Sequence, residues 1–220
     1  MLLEQERIRI VDHLQKLITH GLTKGTGGNI SIYNPQKKLM AISPSGMDYF
    51  SLKPEDIVVM DLSGAIVDGT RKPSSEYEMH KIFYEKREDI LSVVHAHSTY
   101  ASILACLHWD IEPCTYLIAS AGPNVRCTDY VTFGTRELAV SALEGMEARY
   151  AVLLGNHGLL AGGPDLESAF DNAEEIEFCA EIYYKSRLAG QPVLLTDNQM
   201  EVVLKKFETY GVQDSCEEDK

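Results

Sequence analysis

The stretch Val93-Val94-His95-Ala96-His97 ends an apolar run with two imidazoles one residue apart. Alternate residues of a strand face the same way, so His95 and His97 can approach one ion from one side. That arrangement suits zinc, which accepts neutral imidazole nitrogen. A third histidine, His157, stands in "LLGNHGLL" at the mouth of another apolar run, beside Gly158. Three histidines with an open fourth position form a catalytic rather than a closed structural metal pattern. A polar strand end hydrogen-bonded to its neighbours explains the His-x-His pair equally well when it is taken alone. The carboxylate best placed to join them is Glu76 in "PSSEYEMH", in the first turn of a helix where the macrodipole favours negative charge. A plain capping glutamate is the bland alternative there. His13, His20, His80 and His108 fall in helical or surface contexts and read as structural.

Three further stretches offer anion-binding groups. "KGTGGN" (24–29) supplies Thr26, Asn29 and glycine amides that can curl into a nest. "SPSG" (43–46) supplies Ser45 and the Gly46 amide, and "PSSE" places Ser74 and Ser75 at a helix start. Each alone is more often a simple turn or cap. Together, with one of them adjoining Glu76, they suggest a phosphate held near a metal. No Gly-Lys-Ser/Thr follows, so the pattern is not a Walker loop.

The elements that must carry these groups follow from periodicity. Leu3, Ile10, Val11, Leu14, Leu17 and Ile18 recur at helical spacing over residues 2–20. Strands are expected after the glycine turn, over "KLMAI", and as a hairpin around Ser63-Gly64. A helix is expected from "PSSE" to Arg87, a strand over "ILSVVHAH", and a helix over "TYASILACL". Thr135 should cap a helix reaching about Met146, and two short strands should flank Gly155–Gly158. A long helix over 165–189 and a last one from Thr196 to about Tyr210 close the chain. Helices and strands alternate, yet several strand pairs are joined by short turns. This predicts a layered α/β fold with a largely antiparallel or mixed sheet.

Composition narrows the partners. The formal charge is −13, which opposes a nucleic-acid partner. An anionic small substrate is still compatible, because a metal and helix N-termini make a locally positive pocket. Five scattered cysteines with no Cys-x-x-Cys fit a reducing compartment. With no apolar leader and no run long enough for a membrane, the expectation is a soluble, cytoplasmic protein.

The motifs "GTGGNIS", "SPSG", "PSSE", "HAH" and "NHG", in this order over residues 25–158, resemble the class II aldolase and epimerase family of zinc-dependent sugar-phosphate enzymes. The resemblance implies one domain over residues 1–220, with 211–220 as a flexible tail. It implies a three-layer α/β/α subunit around a mostly antiparallel (mixed) sheet, and a homotetramer with active sites between subunits. Carried over by residue, it implies zinc on His95, His97 and His157 with Glu76 completing the resting shell. Phosphate would be held by Thr26, Asn29, Ser45, Gly46, Ser74 and Ser75. A neighbouring subunit would contribute Tyr116, Phe133 and Tyr210. "TYLIASAGPNVRC", "YVTFGTREL" and "VVLKKFETYG" resemble the branch that splits L-fuculose 1-phosphate into dihydroxyacetone phosphate and L-lactaldehyde. In that reading Glu76 is metal ligand at rest and base in turnover, and Tyr116 is the acid. Pentulose-phosphate 4-epimerases resemble this chain too, but carry aspartate where Glu76 stands and an acid in the region of "IASAGPN", where this chain has none. Sugar-acid-phosphate decarboxylases and non-catalytic scaffold domains of the same fold are the remaining alternatives.

Overall fold

A computed structural model describes residues 1–207. Tyr210 and the expected tail, 211–220, lie outside the described residues. Seven strands build one sheet in the order β4-β3-β2-β1-β5-β7-β6. They are β1 (Asn29–Asn34), β2 (Leu39–Ile42), β3 (Val58–Asp61), β4 (Ile66–Asp68), β5 (Ser92–Ala96), β6 (Ala151–Leu154) and β7 (Gly158–Gly163). Every pairing of these strands is antiparallel, as expected of a mostly antiparallel sheet, and Cys127 adds one isolated parallel bridge to Leu153 of β6.

Strict alternation along the central strands separates two cores. Ile30 and Ile32 of β1, Val94 and Ala96 of β5, and Leu159 and Ala161 of β7 face one side. Val93, Leu160, Val152, Met40 and Ile42 face the other. The first core is covered by α1 (Glu4–Thr19), α3 (Thr99–Leu107), α5 (Leu166–Ala189) and α6 (Asp197–Phe207). The second is covered by α2 (Tyr77–Lys86) and α4 (Arg136–Met146). Both faces of a sheet hidden by helices give the three-layer α/β/α arrangement. Complete burial of Val93 and Val94 contributes about 1.5–3 kcal/mol for each side chain, so the register of β5 is firmly fixed. No helix of the described residues is long and apolar enough to cross a membrane.

That register decides where the chemistry goes. His95 shares its face of β5 with Val93 and therefore points toward the α2 and α4 layer. On β1 the same face carries Asn29, Ser31 and Tyr33, a polar row set opposite α2.

The helix after the His-x-His segment is anchored from a distance. Ser98, at its N-cap, makes no side-chain cap bond. The Glu177 carboxylate on α5 instead accepts the Tyr100 and Ala101 amides, each at 2.8 Å. These are two of the four amides that a helix start leaves without an intrahelical partner. Glu177→Ala should cost about 1–2 kcal/mol and lower the melting temperature by roughly 2–8 °C. Thermal denaturation of the variant checks this, and an unchanged melting point would show the cap to be incidental.

Candidate active site

His95 ends buried on β5, and His97 lies just past the strand, before α3. His157 arrives on the turn joining β6 to β7. The sequence of that turn explains its shape. Asn156 takes φ +54°, a left-handed conformation that asparagine tolerates better than most residues. Gly158 follows where a Cβ would stand 2.5 Å from the Ala96 carbonyl oxygen, so only glycine lets β7 lie this close to β5. Gly28 is under the same constraint on the other flank, at φ +78° with a Cβ position 2.6 Å from the His95 carbonyl oxygen.

The three imidazoles converge. Ring centroids lie 4.7 Å apart for His95–His97, 4.7 Å for His95–His157 and 5.2 Å for His97–His157. One nitrogen from each falls within 4.8 Å of the others, a group that could hold a metal ion. His95 Nδ1 donates to the Leu159 carbonyl at 2.9 Å, which leaves its Nε2 as a lone pair facing His97 Nε2 at 2.9 Å. Fixing one ring nitrogen on a carbonyl so that the other can act as ligand is the usual orientation of metal-binding histidines. Burial holds His95 well below the ordinary imidazole range, reinforced by its two neighbours. Burial also lowers His97, with His157 adding to the effect. His157 is lowered by burial against an opposing pull from Glu76. Neutral rings of this kind are ligands rather than ion-pair partners.

Glu76 completes the cluster, one residue earlier on the helix than its sequence position suggests. It stands at the N-cap of α2 and not in the first turn, and its side chain makes no cap hydrogen bond. Its carboxylate turns to the histidines, with Oε2 3.4 Å from His95 Nε2 and Oε1 3.4 Å from His157 Nε2. Oε1 is buried and has no hydrogen-bond partner among the described residues. An orphaned buried carboxylate oxygen facing converging imidazole lone pairs fits a cation between them, since leaving such an atom unpaired is costly.

Beside this cluster lies a cavity of about 130 Å³. Thr26, Asn29, Ser45, Gly46, Ser74 and Ser75 all line it, together with Glu76 and His97. The three separate small-residue segments therefore meet at one place next to the histidines. Tyr49, which the sequence does not single out, holds the glycine turn. Its buried hydroxyl lies 2.9 Å from the Gly27 and 2.7 Å from the Gly28 carbonyl oxygens. Carbonyl and amide point opposite ways across a trans peptide, so the amides of Gly28 and Asn29 face away from Tyr49.

Two predicted residues stand elsewhere on the surface. Tyr116 is 55% exposed, opens a short 3-10 helix (Tyr116–Ser120), and borders a different cavity with Phe207 and Glu175. Phe133 is 62% exposed, although the next residue, Gly134, rests against Ser75 of the same chain. The structure does not bring Tyr116 to the histidine cluster of its own chain.

His80 lies in a helix as expected, on α2, but its partners were not foreseen. It is fully buried, and burial pushes its pKa down to about 3. Its Nε2 bonds Asn29 Oδ1 and its Nδ1 meets Ser31 Oγ at 2.7 Å. The available signal was spacing: Glu76, His80 and Tyr84 recur every fourth residue on α2, while Asn29, Ser31 and Tyr33 alternate on β1.

This site geometry coincides with similarity to known proteins. Residues 8–184 match the family model described as class II aldolase and adducin N-terminal domain. The chain is 57% identical to a 5-deoxy-D-ribulose 1-phosphate aldolase of Bacillus thuringiensis serovar kurstaki, over 97% of this chain and all of the relative. It is 37% identical to an L-fuculose phosphate aldolase of Escherichia coli, over 93% of this chain and 95% of that one. A solved structure titled L-fuculose 1-phosphate aldolase superposes with a TM-score of 0.91 at 50% identity, covering 93% of this chain and 96% of the other. The chain belongs to the class II aldolase family and stands within it among the aldolases, which are lyases.

Proposed function

We propose that the protein cleaves a ketose 1-phosphate reversibly to dihydroxyacetone phosphate and a short aldehyde. The observation that carries this is the convergence of His95, His97, His157 and Glu76 beside a cavity lined by serine, threonine and glycine. The two curated relatives named above act on different sugars by name. The higher identity puts 5-deoxy-D-ribulose 1-phosphate first and L-fuculose 1-phosphate second.

A divalent ion held by His95, His97 and His157 with Glu76, zinc being the first candidate for such donors, supplies Lewis-acid stabilisation of charge developing on the ketose oxygens. Thr26, Asn29, Ser45, Gly46, Ser74 and Ser75 hold the phosphate through hydroxyls, amides and the start of α2. That remote grip orients the reacting carbons. Tyr116 of the partner subunit takes the proton of the C4 hydroxyl as the C3–C4 bond breaks. C4 leaves as the aldehyde carbon, and the bonding electrons pass to the enediolate of the three-carbon fragment. Glu76, after taking up a proton from solvent, delivers it to C3, giving dihydroxyacetone phosphate, and Tyr116 releases the C4 hydroxyl proton to solvent. In the aldol direction the Glu76 carboxylate removes that proton and Tyr116 returns one to the new alkoxide. The exposure of Tyr116 and Phe133 supports an assembly, read here as a homotetramer, in which they complete a neighbour's site. Tyr210 would join them there.

Coupled reduction of released dihydroxyacetone phosphate tests the substrate order. The expected result is a kcat/KM for 5-deoxy-D-ribulose 1-phosphate about tenfold or more above that for L-fuculose 1-phosphate. The reverse ratio would exchange the two substrates. Release from neither, with ribulose 5-phosphate isomerised instead, would replace the aldolase reading by an epimerase.

A further inference from the structure

The buried contact between α2 and β1 is built as a polar zipper. Four residues of helix advance about 6 Å and two residues of strand about 6.6 Å, so the two repeats stay nearly in step. Glu76, His80 and Tyr84 therefore interleave with Asn29, Ser31 and Tyr33. Asn29 Nδ2 donates to Glu76 Oε2 at 2.9 Å, and His80 Nε2 meets Asn29 Oδ1. His80 Nδ1 meets Ser31 Oγ at 2.7 Å, and Ser31 Oγ meets the Tyr84 hydroxyl. Beyond it the Tyr84 ring stacks on Tyr33, with centroids 5.1 Å apart and planes 13° from parallel.

Two facts fix the direction of every bond in this row: Glu76 accepts from Asn29 Nδ2, and His80, kept neutral by burial, carries a single ring proton. The ionised Glu76 carboxylate only accepts, so Asn29 must present its amide group to Glu76 and its carbonyl to His80. His80 must then donate from Nε2, which leaves Nδ1 as an acceptor. Ser31 must donate to Nδ1, and Tyr84 must donate to Ser31. The chain of donors runs one way, from Tyr84 to Glu76, and each member is almost fully buried. Only Oε2 is tied by this row, and the partnerless Oε1 is left toward the histidines.

We propose that His80, with Ser31 and Tyr84 behind it, is a positioning residue: through Asn29 it holds the Glu76 carboxylate by one oxygen at the angle needed for proton transfer. A helix cap alone cannot do this, because Glu76 sits at the N-cap without a cap bond. The inference rests on reading Glu76 as the proton-transfer group, so the two are tested side by side.

The measurements are bound metal, KM, kcat and exchange of the dihydroxyacetone phosphate C3 proton with deuterated solvent, on metal-loaded protein. His80→Leu should lose about 10- to 100-fold in kcat and in exchange, with bound metal and KM little changed. In His80→Gln a side-chain amide can again donate to Asn29, and most of the lost rate should return. Normal exchange in His80→Leu, with exchange abolished in Glu76→Gln, would overturn the positioning role and leave the base intact. Normal exchange in Glu76→Gln would overturn the reading of Glu76 itself. If His80→Leu does not fold, Tyr84→Phe, which deletes only the last donor, decides. A several-fold fall in kcat at constant KM and metal supports the zipper, and an unchanged kcat overturns it.

Discussion

Glu76→Gln should fold, keep its metal and lose about 10²- to 10⁴-fold in both cleavage and proton exchange on dihydroxyacetone phosphate. The substitution keeps the size of the side chain and the acceptor that Asn29 Nδ2 needs, because a glutamine carbonyl can take the place of Oε2. The lost function is proton transfer. Glu76 is the carboxylate set against His95 and His157, and its Oε1 has no hydrogen-bond partner among the described residues. A large fall in kcat with little change in KM is the signature of a group used in the transition state and not in ground-state binding. Wild-type exchange in this variant would remove Glu76 from the reaction.

The second large effect is expected from metal removal. Chelation should abolish cleavage, and adding back one equivalent of zinc per chain should restore it. Four donors that meet only in the folded chain bind the ion only there, so binding adds to stability. At a thousandfold excess over Kd the gain is about 4 kcal/mol, a rise in melting temperature on the order of 10 °C. The pH dependence has a definite sign. His95, His97 and His157 are all lowered from the ordinary imidazole value near 6.5, so the folded site stays neutral at pH values where the unfolded chain takes up protons. The metal-free protein therefore keeps this contribution above pH 6.5 and loses stability as pH falls below it. Calorimetry with and without metal across that window checks both statements. Cleavage that survives complete metal removal would contradict the metal requirement, and metal-free stability that does not fall below pH 6.5 would contradict the pH dependence.

Much of this was legible before any coordinates, and the reasons are local. Thr135 caps α4 through the Leu138 amide, and Asp165 caps α5 through the Ser168 amide, so both helix starts were written in short side chains. The alternation of β5 placed His95 on one face, and Gly158 stood out beside His157, where the structure shows that only glycine lets β7 approach β5. What sequence did not disclose depends on register between elements. Glu76 reads as a first-turn residue, yet α2 begins at Tyr77 and frees it from helical duty. His80 reads as ordinary because the spacing of four that links it to Glu76 and Tyr84 has no meaning by itself. Its meaning appears only when β1 is laid against α2 and Asn29 falls between it and Glu76. Tyr49 is silent for the same reason, since its partners are backbone carbonyls more than twenty residues away.

The central claim is that a metal-loaded histidine cluster and Glu76 together labilise one proton of a phosphorylated three-carbon ketose. It is tested most directly by incubating the protein with dihydroxyacetone phosphate in deuterated water, without any aldehyde. The account predicts incorporation of one deuterium at C3, on one face, lost on chelation and regained with zinc. No incorporation by fully metal-loaded protein, or incorporation that chelation leaves untouched, would contradict it.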